Sequence, residues 1–389
     1  MGVFCDILGY EVVTALGVGL APAWQKILAG ESGIRPLIRL AGLDLATTCA
    51  AEIVPQDWAQ VGGGHPPEDL WRAHGLALYA GREALAAARR AGLPPETPVG
   101  LVLATTKGEI ASLLALMAGK HTNLHHLPGR LARDLAQDLE LKGAVLAVSN
   151  ACASGLTALA TAARLIISGR ESAMLVVGVD TLSRFILEGF GALKALDPNP
   201  CRPFDHARRG LTLGEGAGAV LLAAPGLGSA AARLTGWAST NDANHLTGPA
   251  RDGEGLRRAM ARALAKAGLV PNDVDYINAH GTGTPYNDEM ETQALHALFG
   301  AESPPVNSLK SYLGHTLGAA GVIETVFCVQ ALGEGVVPAS LGYLNHGVSL
   351  PLMVARENLD LPGMQRVLTV KSGFGGVNAA LVLEKAEAS

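Results

Sequence analysis

The stretch AVLAVSNACASGLTALATAARLII (144–167) decides the fold. A short apolar run breaks at Ser149-Asn150 and passes into small residues, where Leu156, Leu159, Ala163 and Ile166 recur on one helical face. That is a strand feeding directly into a helix whose Gly and Ala residues permit close packing. Three more apolar runs, VGLVLATT (99–106), AMLVVGV (173–179) and AVLLAA (219–224), read with it as buried strands alternating with helices. This grammar predicts an α/β protein with sheets covered on both faces. The order then recurs: PVNSLKSYLGHTLGAAGVIETVFCVQAL (305–332) answers 144–167, and SGFGGVNAALVLEK (372–385) answers GLTLGEGAGAVLLAA (210–224). Ala144 to Gly210 spans 66 positions, as does Val306 to Ser372, so the chain reads as two duplicated halves. APGLGSA (224–230) is the natural seam, which divides the chain into 1–228 and 229–389. The polar segment 119–143 (GKHTNLHHLPGRLARDLAQDLELKG) reads as a surface or interface excursion.

The 389 residues suffice for two or three domains or one large duplicated unit, and charged residues make up only 17% of them. With so little charge, part of the surface is expected to be covered by an oligomeric partner. Thirty Lys and Arg against 35 Asp and Glu give a net charge of −5 and no global field for nucleic acid, so an acidic partner needs a local basic patch. The five cysteines, Cys5, Cys49, Cys152, Cys201 and Cys328, form no C-x-x-C pair, which argues against a disulfide framework and a structural zinc site and fits a reducing cytoplasm. No Lys or Arg precedes Lys26, so Met1 is expected to start the mature protein. No membrane span is expected, because Glu324 interrupts the most apolar window.

Four places could carry chemistry. Cys152 lies where a strand turns into a helix, and the exposed N–H groups and dipole of the helix start favour a thiolate below the ordinary value of ~8.5. A small buried packing cysteine would suit the same junction. His280 ends an apolar strand before the loop GTGT, which lacks both the Lys-Ser/Thr of a P-loop and G-x-G-x-x-G spacing. It could equally be a satisfied structural histidine. His315, five residues after Lys310, occupies the junction that matches the one carrying Cys152, so duplication would bring the two face to face. The glycines around Phe374 allow close backbone approach and leave N–H groups free for an oxyanion, although a tight hairpin entry also uses them.

Together, NACASG (150–155), CRPFDHARRGLTLGEGAGAVLL (201–222), NAHGTGTPYND (278–288), NSLKSYLGHTLGAAGVIE (307–324) and GFGGVNAALVLEK (373–385) resemble the β-ketoacyl-acyl carrier protein synthases of the thiolase superfamily, of the elongating Cys-His-His type. The resemblance runs from VVTALGVG (12–19) to the last strand. It implies a thiolase-like five-layered αβαβα fold and a dimer, either with itself or with a ketosynthase-like paralogue. It implies Cys152 as the acyl-accepting nucleophile, His280 and His315 as the histidine pair, and Lys310 as support for His315 with Glu324 as its buried partner. Phe374 would gate the acyl pocket, its N–H and that of Cys152 forming the oxyanion hole. Thr282 and Thr284 would bind the phosphopantetheine arm, Asp242 and His245 would move with the gate, and Phe190 would wall the site.

The implied reaction is a decarboxylative Claisen condensation with malonyl carrier protein. It needs no metal or organic cofactor, since phosphopantetheine arrives on the acyl carrier protein. Lys194 would dock that acidic carrier, with Arg130 and Arg133 as secondary candidates. Two departures stand out: Ser372 takes the place of the first Phe in the usual Ser-Phe-Gly-Phe-Gly-Gly loop, and the region before residue 100 is compressed. NACASG with LKSYLGHTLGAAG is similar to ketosynthases of aryl-polyene pathways. A thiolase would need a second catalytic cysteine near the C-terminus, and none follows Cys328. An initiating Cys-His-Asn synthase would lack the second histidine. A chain-length-factor subunit, the non-catalytic alternative, would lack the nucleophile, so Cys152 is the discriminating residue.

Overall fold

The computed structural model describes residues 4–42, 44–61, 71–119 and 127–386. Among the described residues eleven strands form the main sheet: ten of them, five from each half, build two half-sheets, and the two-residue Gly17–Val18 pairs with the end of the first. The first five are β1 (Cys5–Thr14), β2 (Val99–Ala104), β3 (Val145–Val148), β4 (Ala173–Asp180) and β5 (Gly216–Ala223). The second five are β6 (Ala232–Asn241), β7 (Tyr276–Asn278), β8 (Val306–Asn307), β9 (Arg366–Gly373) and β10 (Val377–Lys385). The spatial order is β3-β2-β4-β5-β1 in one half and β8-β7-β9-β10-β6 in the other. Each half therefore repeats the order 3-2-4-5-1, with parallel pairs at the outer strands and antiparallel pairs toward the centre. A short antiparallel pairing of β1 with β6, Cys5 opposite Leu234 and Ile7 opposite Ala232, joins the half-sheets.

Helices fill three layers around these two sheets. α1 (Arg72–Arg90) lies on β1, β5 and β4, and α4 (Glu254–Ala267) lies on β6 and β10. Between the sheets sit α2 (Ser154–Ile167) and α6 (Ala320–Glu334), each touching strands of both halves. They cross backbone to backbone. A Cβ at Gly155 would stand 2.6 Å from the Val322 nitrogen, and one at Gly321 would stand 2.6 Å from the Leu156 nitrogen. Only glycine at both positions allows this approach. α3 (Arg184–Ala192) and α5 (Pro285–Phe299) flank the cleft between the halves.

Several expectations change. β3 is half-exposed rather than buried, with Leu146 at 38%, because it is the outer strand of its half and one row of its backbone groups has no strand neighbour among the described residues. The helix after it starts at Ser154, since Ala151 takes a left-handed φ of 46° in the turn. The 119–143 segment is not wholly an excursion. Residues 120–126 lie outside the described ones, but the helix Pro128–Asp138 buries Leu131, Ala132, Leu135 and Ala136 against the first half-sheet. Finally, Leu317–Glu334 is long and apolar enough by length and composition to cross a membrane despite Glu324. Within the fold 83% of that window is buried, and α6 serves as a central helix.

Candidate active site

The two central helices begin beside each other, and the segments that lead into them carry the chemistry. Cys152 sits in the tight turn between β3 and α2, held where the Asn150 N–H donates to Ser154 Oγ (2.7 Å) and that hydroxyl donates to the Ala151 carbonyl (2.6 Å). His315 precedes α6, and its backbone is clamped by the other half. Its N–H donates to the Thr212 carbonyl (2.7 Å), and the Gly214 N–H donates to its own carbonyl (3.1 Å). The outcome is a 3.1 Å contact between His315 Nε2 and Cys152 Sγ. His280, just beyond β7, stands edge-on to His315 with ring centroids 5.2 Å apart and planes at 80°. The Glu291 carboxylate on α5 fixes its loop, accepting from the N–H groups of His280 (2.5 Å) and Gly281 (2.7 Å). Asp288 accepts from Thr282 and Gly283 in the same way. Donor atoms of Cys152, His280 and His315 all lie within 4.8 Å of one another, and no other His/Cys/Asp/Glu set converges so among the described residues.

Burial governs how these groups titrate. It pushes the Cys152 thiol up to about 12, against the opposing charge of Lys310 and the backbone N–H groups of Phe374 and Cys152 itself. This corrects the expectation of a thiolate favoured by the helix start: desolvation outweighs the helix end, and the resting thiol is neutral. Both histidines lie well below the ordinary imidazole value. Desolvation is the main cause, and Lys310 and Lys371 add repulsion at each ring. Two neutral imidazoles therefore face a neutral thiol, and one of them is already in contact with it. Glu291 is raised to about 7 by burial, although its two N–H partners favour the carboxylate.

Behind His315, Lys310 Nζ meets Glu324 Oε1 at 2.7 Å, with both side chains buried. A second ammonium, Lys371 on β9, reaches Glu324 Oε2 at 3.0 Å. Burial alone would raise Glu324, but the two cations hold it below the usual carboxylate range.

Cys152, His280 and His315 floor a cavity of about 520 Å³. Phe190, Lys194, His245, Thr282, Thr284 and Phe374 line it, as the sequence suggests, and Arg209 and Tyr286 join them. The Phe374 ring stacks on Phe190 at 5.8 Å and 23°. The Thr282 and Thr284 hydroxyls are 2.9 Å apart. Ser372 lines the cavity too, donating to Asn378 Oδ1 (2.7 Å) where the usual Phe would project. Asp242 does not line it. Its carboxylate instead accepts from Asn378 Nδ2 (2.7 Å) and the Ala250 N–H (3.2 Å), which ties the 242–250 loop to the glycine turn after Phe374. Arg130 and Arg133 do not reach this cavity. They ride the helix over the outer face of the first half-sheet, where Arg130 pairs with Asp134. Lys371, Glu291, Asp288, Asn378 and Arg209 escaped the sequence reading. The acidic run at the start of α5 was the one available signal, since carboxylates there can reach back to the loop preceding the helix.

A nucleophile at a strand-to-helix turn, facing two neutral imidazoles across a two-fold repeated α/β fold, is the arrangement of an enzyme that carries an acyl group on sulfur. Residues 6–225 match the beta-ketoacyl synthase N-terminal domain and residues 231–344 the beta-ketoacyl synthase C-terminal domain. The chain belongs to the beta-ketoacyl synthase family. It is 34% identical to nodulation protein E of Rhizobium sp. (strain N33) over 97% of this chain and 98% of that one. It is 31% identical to 3-oxoacyl-[acyl-carrier-protein] synthase 2 of Rhizobium meliloti (strain 1021), again over 97% and 98%. Among solved structures, the ishigamide ketosynthase/chain length factor superposes with a TM-score of 0.91 at 29% identity, covering all of both chains. A type II polyketide-synthase acyl-carrier protein in complex with its ketosynthase bound to the hexaketide gives 0.85 at 25%, over 99% of this chain and all of that one.

Proposed function

We propose that this chain elongates a carrier-bound acyl chain by one malonyl-derived unit, with Cys152 as the acyl acceptor and His280 and His315 as the pair that stabilises the enolate. The 3.1 Å contact between Cys152 Sγ and His315 Nε2 carries the reading, because it gives the thiol proton a neutral imidazole to move toward as sulfur attacks. The tetrahedral oxyanion lies against the N–H groups of Cys152 and Phe374, which converge on the sulfur. The carrier thiol leaves, and malonyl carrier protein takes its place with Thr282 and Thr284 along the pantetheine arm. His280 and His315, neutral and able to donate, hydrogen-bond its thioester oxygen where negative charge appears on loss of CO2. The carbanion then attacks the Cys152 thioester, releasing the β-ketoacyl carrier protein and the Cys152 thiolate, which takes a proton from solvent to restore the thiol. Decarboxylation itself generates the carbanion, so the cycle calls on no metal or organic cofactor of the protein's own.

Lys194 and Arg209 at the cavity mouth suit an acidic carrier protein. The unpaired outer edge of β3, with Leu146 exposed, suits edge-to-edge pairing with a second ketosynthase-like subunit, identical or paralogous. Five cysteines, all buried and free, suit the cytoplasm. The aryl-polyene-like motifs, with structural relatives that include a type II polyketide ketosynthase, favour a polyene or polyketide chain over a membrane fatty acid. The test is mass spectrometry of Cys152 after incubation with acyl carrier proteins of different chains, followed by malonyl carrier protein. An acyl adduct that disappears as β-ketoacyl carrier protein forms is expected. A chain that never acylates, yet activates a paralogous ketosynthase, would be a chain-length-factor subunit instead.

A further inference from the structure

Lys371 has no part in the cycle above, yet it is among the largest fully buried side chains of the protein. Its ammonium lies 3.0 Å from Glu324 Oε2, 2.9 Å from Asn278 Oδ1 and 2.8 Å from the Val370 carbonyl, with Thr369 Oγ1 and the Ala279 carbonyl at 3.4 Å. Its hydrogen bonds go to Asn278, Val370, Thr369 and Ala279, while Glu324 Oε2 holds it by charge. Those contacts join the three elements that build the site. Asn278 ends β7 and Ala279 follows it immediately before His280, Val370 lies on the strand that delivers Phe374, and Glu324 is the α6 carboxylate that Lys310 already engages. The balance of charge also matters. Lys310 and Lys371 share the Glu324 carboxylate, and the next acid that feels Lys371 is Glu291, which burial raises to about 7.

We propose that Lys371 is a positioning residue for the condensation: it ties the His280 strand end to Glu324 and adds positive charge behind the histidine pair, which favours the enolate. This rests on the assignment of the pair to the enolate. The groups facing the rings are Lys310, Lys371 and each other, with Cys152 on His315 and the Glu291 carboxylate at the His280 backbone. Asp288 caps the loop beyond His280, and Asp180 is the anion felt at Cys152. Around Lys371 itself stand Glu324, Lys310 and Cys328. A cation near an imidazole disfavours its protonated form, so removing Lys371 raises the histidine pKa values. The acid limb of activity then moves to higher pH.

Two variants separate charge from tether. Lys371→Gln keeps a donor for Asn278 and removes the charge, whereas Lys371→Met removes both. The readout is the pH profile of malonyl carrier protein decarboxylation, with thermal unfolding alongside. Both variants should move the acid limb up toward ~6.5, the ordinary histidine value, and Met should lower the plateau rate more than Gln. An acid limb at the wild-type pH in a folded variant overturns the proposal. Should neither variant fold, Lys371→Arg, which keeps the charge, decides: an acid limb at the wild-type pH supports the buried charge, and one moved up toward ~6.5 overturns it. His280→Ala tests the underlying assignment separately. Normal decarboxylation by that variant would remove the pair from the enolate, while its loss together with an unmoved limb in Lys371→Gln would sink Lys371 alone.

Discussion

Adding one methyl group at Gly373 tests the oxyanion hole without touching any side chain assigned a role. Its Cβ would stand 3.0 Å from the Cys152 nitrogen, 3.2 Å from Ala151 Cβ and 3.3 Å from the Ala153 nitrogen. Gly373 ends β9 without a left-handed φ, so alanine meets no backbone penalty there, only crowding. Ordinary carbon–nitrogen contact begins near ~3.4 Å, so the strand end and the nucleophile turn must part by roughly 0.4 Å. An oxyanion donor works at ~2.7–3.1 Å from its acceptor and is worth about 3 kcal/mol, or ~10²-fold in rate. Gly373→Ala should thus slow single-turnover acyl transfer to Cys152 by up to ~10²-fold. Alkylation of Cys152 by iodoacetamide forms no oxyanion and should stay near the wild-type rate. Phe374→Ala keeps its N–H and should preserve loading while loosening chain-length control, since only the ring stacked on Phe190 is lost. Wild-type acyl transfer by Gly373→Ala, or an equal collapse of loading in Phe374→Ala, would refute the placement of the hole.

Cys152→Ala should fold and abolish acyl labelling while still decarboxylating malonyl carrier protein, checked by radiolabel transfer and CO2 release. Replacing His280 or His315 by Ala should depress decarboxylation by at least ~10²-fold and loading far less, read in separate half-reactions. Glu291→Gln offers an acceptor for only one of the His280 and Gly281 N–H groups and turns a donor toward the other. It should cost about 1–3 kcal/mol in a urea titration and lower decarboxylation with it. Lys194→Glu should raise KM for carrier-bound substrates, with a defect that shrinks as salt shortens the screening length to below ~10 Å, and should leave a short pantetheine thioester unaffected.

Cys152, His280 and His315 were legible because each stands where a regular apolar run gives way to a loop or helix start, and a duplicated pattern places matching junctions together. Lys371 was not. In VLTVKSG it reads as one polar residue in a strand, and its burial depends on the pairing of β9 with β7, Asn278 opposite Thr369, which no local pattern encodes. The thiol state was misjudged for a similar reason. A helix start is visible in a sequence, but the packing that strips water from the sulfur comes from the other half of the chain. β3 reads as buried because its residues are apolar, and its edge position is a matter of topology. Ser372 is visible as a departure, whereas its hydrogen bond to Asn378, and through Asn378 the link to Asp242, required the fold of β9 against β10.

The glycine crossing of α2 and α6 bears on how such a protein can change over generations. Each helix brings one half of the reacting pair, and the two backbones touch where Gly155 meets Gly321. Neither half can drift alone: any side chain gained at one glycine pushes the nucleophile of its own half away from the imidazole of the other. The two halves are thus inherited as partners in a lock, free to diverge in loops and acyl cavity while the crossing stays bare.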